Sequence, residues 1–260
     1  MINPQAFIHP DAKIGKNVKI EPFAVIYSDV EIGDNTWIGP HAIIMDGARI
    51  GSNCKIFPGA VISAIPQDLK FAGEYTTAEI GNNTTVRECA TINRATKSKQ
   101  KTIVGSDCLL MAYSHVAHDV CIGNKVILGN GVQLAGEVII DDWAILSAHT
   151  LVHQFVHIGG HVMISGASLV RQDVPPFIIA AREPLSYFGI NSVGLNRRGF
   201  STEHINSIQE AYRYIYQSKL SVSGAIDAIK QNIINNENIN YLISFIQNSQ
   251  RGIIKKSATE

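Results

Sequence analysis

Apolar residues recur at every sixth position from Ile8 to Val170. The series runs through Ile14, Ile20, Ile26, Ile32, Ile38, Ile44, Ile50, Ile56 and Ile62, then resumes at Ile80, Val86 and Ile92. It continues from Val104 through Leu110, Val116, Ile122, Leu128, Leu134, Ile140, Leu146, Val152, Ile158 and Ile164. Of the 28 positions in this frame, 25 hold Ile, Leu or Val, against a chance occupancy of roughly a quarter. The exceptions, Asp68, Glu74 and Ser98, fall in two stretches, about 64–79 and 94–103, that read as protruding loops. Gly often follows the apolar residue, as at Gly15, Gly33, Gly51 and Gly105; the fifth position is small or β-branched, as at Ala24, Ala42, Val126 and Ala144. A period of six fits neither a 3.6-residue helix nor the two-residue alternation of a strand. It fits a coil of short strands joined by sharp turns, in which Gly is expected to supply the turn conformations.

If three hexads close one triangular coil, residue n stacks beneath residue n+18. Residues 8–174 then make roughly nine coils, a prism about 45 Å long at ~4.8 Å per rung. The frame stops at Val174-Pro175-Pro176. Beyond it, Ser201 can cap a helix carrying Ile205, Ile208, Ala211, Tyr212 and Ile215 on one face. A second helix is expected around Ala225, Ile226, Ile229 and Ile233, and a third around Tyr241, Leu242, Phe245 and Ile246. The chain therefore reads as an all-β parallel β-helix over residues 1–189 followed by a small α-helical domain over residues 190–260. The closing KKSATE reads as a frayed tail. Flat exposed faces on the prism predict an oligomer.

Charge excludes some partners. Lys plus Arg and Asp plus Glu number 22 each, so bulk electrostatics do not drive the chain onto nucleic acid or an anionic membrane. No apolar run reaches the length of a membrane span. The start, MINPQAFIHPDAKIG, lacks the basic and apolar regions of a secretory signal, and the four Cys show no CxxC spacing. A reduced, cytoplasmic setting is expected.

Four strings carry a specific resemblance: PQDLKFAGE at Pro66–Glu74, HVAHD at His115–Asp119, HQF at His153–Phe155 and NSVGLNRRGF at Asn191–Phe200. Set in the hexad frame, they resemble the acyl-carrier-protein-dependent UDP-N-acetylglucosamine O-acyltransferases of lipid A biosynthesis, over nearly the whole chain. The resemblance implies a left-handed parallel β-helix, against the usual right-handed crossover. It also implies a homotrimer with active sites between neighbouring prisms, and a reaction that needs no metal and no cofactor. The reaction it implies is transfer of an (R)-3-hydroxyacyl group from acyl carrier protein to the 3-position of UDP-N-acetylglucosamine.

The resemblance assigns roles residue by residue. His118 is the general base, a role suited to an imidazole that titrates near neutrality. Its place outside the apolar ladder fits. Asp119 orients the ring; since adjacent strand residues point to opposite faces, that pairing requires a corner. Gly136 and Gln154 fall one and two coils beyond His118 in the eighteen-residue frame. The family places its oxyanion donor, a backbone N–H, at the Gly136 position and a substrate contact at the Gln154 position. One such donor can be worth about 3 kcal/mol. Gln67, Asp68 and Lys70 match residues that hold the sugar and diphosphate; Asn191, Arg197 and Arg198 match positions near the nucleotide. His115 and His153 match the cleft, and Gly166 matches a position that limits acyl-chain length.

Three positions depart from the family's common pattern. Asn93 and Glu137 stand where His is common, and Val193 where an acidic residue is common. Whether the acceptor carries a 3-hydroxyl or a 3-amine is left open by them. Competing readings are an N-acyltransferase of the same pathway, a zinc hydratase resembling the γ-class carbonic anhydrases through His153, His157 and His161, and a non-catalytic binding solenoid.

Overall fold

The structure, a computed structural model, describes residues 2–256. Among these residues the hexads form three parallel sheets that wrap one left-handed β-helix. The first face holds nine strands from Phe7–Ile8 to Leu169–Val170, the second eight from Lys13–Ile14 to His157–Ile158, and the third ten beginning at Lys19–Ile20. Most strands are two residues long, with the second residue pointing inward. Ile26, Ile38, Ile44, Leu128 and Leu146 are completely buried, as are Ala24, Ala42, Val126 and Ala144 at the inward corners. Past the first rungs each coil thus buries an apolar residue on every face and a small or β-branched one at most corners, which is why the sequence repeats every six residues.

The eighteen-residue register holds from His115 onward: His115 lies opposite Gln133, and Gln133 opposite Leu151. Lower in the prism the spacing widens. Val61 lies opposite Thr91 and Thr91 opposite His115. The extra residues form two loops, 65–76 and 94–100, shorter than the frame breaks suggest, because Thr77–Ile80 and Lys101–Val104 are already strand. Both inserts are whole multiples of six, so the numerical frame passes through them intact. Both leave the first face and rejoin the second, on the same prism edge in successive coils.

One expectation is overturned. The glycines that follow the apolar residue do not provide the turn. The left-handed backbone falls instead mostly on non-glycine residues, among them Asn35, Asp107, Asp119, Lys125, Glu137 and Phe155, with φ between 57° and 65°. The glycines are there for closeness: a Cβ on Gly33 would come within 2.6 Å of the Gly51 carbonyl carbon in the next coil. A left-handed non-glycine residue costs roughly 1–2 kcal/mol, a strain held in place by the rungs above and below.

Past the last regular coil, Ile178–Ala181 extends the third face in parallel and Ser186–Ile190 folds back on it antiparallel. Four helices follow: α1 (Ser192–Arg197), α2 (Thr202–Gln217), α3 (Val222–Asn232) and α4 (Glu237–Asn248). Ser201 caps α2 by accepting from the His204 N–H, and α2 buries Ile205, Ile208, Ala211 and Tyr212. The helices are pinned to the prism by buried polar groups. Tyr212 donates to the Pro176 carbonyl at 2.5 Å, and Tyr241 Oη donates to Asp141 while accepting from the Gly160 N–H. The tail is not frayed at its start, since Tyr187 N donates to the Lys255 carbonyl; SATE lies outside the described residues. No helix among the described residues is long and apolar enough to cross a membrane.

Candidate active site

His118 occupies the edge between the first and second faces, one coil above the 94–100 loop and two above the 65–76 loop. The corner that its pairing with Asp119 requires is present. Asp119 has φ of 61°, which swings its carboxylate back under the imidazole, and Nδ1 of His118 lies 2.8 Å from Oδ2. Asp119 is fully buried and His118 is 12% exposed at its side chain. Further donors converge on the same carboxylate: the Thr96 N–H and hydroxyl, and the Lys99 N–H. An ionised carboxylate can only accept, so a neutral His118 ring held this way carries its proton on Nδ1 and leaves the Nε2 lone pair free.

One rung on, Gly136 sits directly over the ring. The Glu137 N–H donates to the His118 carbonyl at 3.0 Å, and the Phe155 N–H to the Gly136 carbonyl at 3.3 Å, so residues 118, 136 and 154 form one column. A Cβ on Gly136 would lie 2.5 Å from Nε2 of His118. Among the described residues the Gly136 N–H meets no acceptor. A lone pair and an unused backbone donor thus stand a rung apart on an outer edge.

The loops close this corner from below. Asp68 brings Oδ2 to 3.8 Å from Nε2 of His118 and fixes its own turn by accepting from the Lys70 N–H. Gln67 and Lys70 are exposed beside it. Glu74 accepts from the Lys97 N–H, and Thr76 donates to the Ala95 carbonyl, so the loops brace each other. His115 faces outward on the adjacent strand with Nδ1 2.7 Å from the Thr91 hydroxyl. Burial, with the charge of His118 second, holds its pKa below the usual value.

An apolar groove of about 400 Å³ runs up the first face from this corner, between His115, Ala117, Ala135, Leu151, His153 and Leu169. Exposed His153 donates from Nδ1 to the Gln154 carbonyl. Gly166 lies in the turn just before Leu169, on the far edge of the same face.

The C-terminal candidates are not brought to the His118 edge within one chain. Asn191 is buried and caps α1, accepting from the Gly194 N–H and donating to the His161 carbonyl. Arg198 donates to the Trp143 carbonyl and lies 5.2 Å over the Trp143 ring. Both serve the edge between the second and third faces, while Arg197 and Val193 face solvent there. His153, His157 and His161 do not converge: His157 is held by Asp141, and His161 is stacked between Trp143 and Phe177. No group of three possible metal ligands is assembled among the described residues.

Burial, with Arg198 second, pushes the His161 pKa down to about 4. Between that value and the unfolded one near 6.5 the unfolded chain binds more protons, so stability falls as pH drops through this window. Melting temperatures measured from pH 7 to pH 4 are expected to fall less steeply for His161→Phe than for the wild type.

Thr96 and Lys99 carry no signal of their own in the sequence, since they sit in a stretch without periodicity, and the bracing role of Glu74 shows only in the structure. The one available signal is positional: both loops replace the corner directly beneath His118.

A triangular coil of hexads with its candidate chemistry on one edge is the architecture of the hexapeptide class of transferases. Comparison narrows it. The family model for bacterial transferase hexapeptides matches residues 29–64 and 101–136, and that for UDP N-acetylglucosamine O-acyltransferase, domain 2, matches residues 173–254. The acyl-[acyl-carrier-protein]–UDP-N-acetylglucosamine O-acyltransferase of Herminiimonas arsenicoxydans is 44% identical over 203 residues, 75% of this chain and 76% of its own. The crystal structure of LpxA, a UDP-N-acetylglucosamine acyltransferase from Bacteroides fragilis, is 56% identical with a TM-score of 0.97, covering 98% of this chain and all of that one. The Francisella novicida UDP-N-acetylglucosamine acyltransferase structure is 40% identical with a TM-score of 0.96, covering 99% of this chain and 95% of its own. The chain belongs to the acyl-[acyl-carrier-protein]–UDP-N-acetylglucosamine O-acyltransferase family, and it is an acyltransferase.

Proposed function

We propose that this chain moves an (R)-3-hydroxyacyl group from acyl carrier protein to the 3-hydroxyl of UDP-N-acetylglucosamine, the opening step of lipid A biosynthesis. The observation that carries the mechanism is the stacking of His118 Nε2 against the Gly136 rung. Nε2 takes the proton of the acceptor hydroxyl as its oxygen attacks the thioester carbon. The carbonyl oxygen becomes an oxyanion facing the Gly136 N–H, aimed at where charge develops. The C–S bond then breaks, and the departing thiolate recovers the proton from the imidazolium. Asp119 keeps the proton-bearing nitrogen turned away from the substrate. No step calls on a metal or cofactor.

Gln67, Asp68 and Lys70 hold the sugar and diphosphate in this reading, with the Lys70 ammonium meeting phosphate. His115, His153 and Gln154 line the cleft, and the apolar groove on the first face takes the acyl chain up to the Gly166 turn. Arg197 and Arg198, on the turn that Asn191 caps, reach a nucleotide only across a boundary between prisms, which supports a homotrimer. An outward apolar strip of Leu109, Ile127, Ile145 and Met163 on paired rungs of the third face supports it too. The setting proposed is the cytoplasm, where the carrier thioester is made.

The test is turnover with acyl-carrier-protein and coenzyme A thioesters against UDP-N-acetylglucosamine and its 3-amino analogue, with particle mass measured by light scattering. Transfer from the carrier protein to the 3-hydroxyl by a trimer is expected. Faster transfer to the 3-amine would make the chain an N-acyltransferase, and absence of transfer to either acceptor would reject the reading.

A further inference from the structure

The 94–100 loop does more than interrupt the repeat. Its first turn wraps the Asp119 carboxylate: the Thr96 hydroxyl donates to Oδ2 at 2.7 Å, the Thr96 N–H reaches both oxygens at 3.2 Å, and the Lys99 N–H donates to Oδ1 at 3.1 Å. Oδ2 is also the oxygen that faces His118 Nδ1. Thr102, where the loop rejoins the second face, accepts from the Asp119 N–H at 2.9 Å and so fixes the backbone of the same residue. Thr96 is buried and its hydroxyl is held in turn by the Ser98 N–H. A carboxylate gripped by both oxygens cannot rotate about its terminal bond without losing donors, of which those from Thr96 are buried. The ordinary corners above, at Glu137 and Phe155, carry no such wrapping.

We propose that Thr96 is a positioning residue for acyl transfer, fixing the Asp119 carboxylate so that His118 stays in the tautomer and orientation a base requires. The inference rests on the reading of His118 as the base. Thr96 acts through Asp119 and touches no substrate. The loop is thereby a part of the catalytic corner, and its bracing by Glu74 and Thr76 ties the sugar-binding loop to the same carboxylate.

Thr96→Val keeps the shape and removes the hydroxyl donor; Thr96→Ser keeps the donor and removes a methyl group. Steady-state transfer is measured for both, with melting temperature and with His118→Ala as the reference. Thr96→Val is expected to lower kcat by roughly tenfold or more, the scale of one hydrogen bond to a charged group. The KM for the sugar nucleotide is expected to stay within about twofold, and Thr96→Ser to restore most of kcat. Wild-type kcat in Thr96→Val, or equal losses in both variants alongside equal falls in melting temperature, would overturn the proposal. If His118→Ala itself keeps wild-type transfer, the base assignment fails and this inference falls with it. If only His118→Ala is inactive, the inference alone fails.

Discussion

Replacing His118 by Ala is expected to lower kcat for acyl transfer by about 10²- to 10⁴-fold, the range for loss of a general base. The geometry behind this figure is local. Nδ1 is committed to Asp119, and Nε2 faces outward beneath the Gly136 rung. The acidic side chain nearest to Nε2, Asp68, sits at 3.8 Å and is held by its own loop. The ring lies outside the apolar ladder, so its removal leaves the stacked Val116 and Leu134 in place. The melting temperature should therefore change little while turnover collapses. Rapid-quench or steady-state assays with the carrier-protein thioester measure the effect. Retained turnover would move the base elsewhere.

Gly136→Val is expected to cost about 100-fold or more in kcat/KM, the scale of a misplacement of around 1 Å at a reacting centre. The glycine is not needed for its backbone angle, since it does not lie in the left-handed region. It is needed because any Cβ there enters the space of the imidazole. A valine must push the ring off its Asp119 partner or block the approach of a carbonyl to the amide. Steady-state kinetics on the purified variant, with a melting curve to confirm the coil is intact, checks this. Activity within a few-fold of wild type would mean that the ring moves freely and is not part of a fixed site.

Much of this was legible in the residue pattern. The six-residue frame carries the prism because every inward position faces the same core, and Ile, Leu or Val is needed at each. The column of His118, Gly136 and Gln154 follows from the frame alone, as coil length is set by closure of three faces. The loops were legible as interruptions, but their contacts were not. Thr96 and Lys99 approach Asp119 through an irregular turn that no period encodes. The turn glycines misled for a physical reason: Gly serves close approach as well as positive φ, and here Asn, Asp, Lys and aromatic residues take the left-handed positions. The short helix α1 was missed because its signal, an Asn191 cap ahead of a single buried Leu195, is too brief to show periodicity. Asn191 and Arg198 carried a motif by resemblance, yet in the chain their side chains are spent on α1 and on Trp143.

His118 and Gly136 act at one point in this mechanism, and a double-mutant comparison addresses that directly. Transfer rates are measured for wild type, His118→Ala, Gly136→Val and the double variant. If the valine harms chiefly by displacing the imidazole, it should cost less than about threefold once the imidazole is gone, since residues that act as a unit are strongly non-additive. Losses that multiply, with Gly136→Val as damaging in the His118→Ala background as in the wild type, would show that the valine does not act through the imidazole and contradict the crowding of the ring by residue 136.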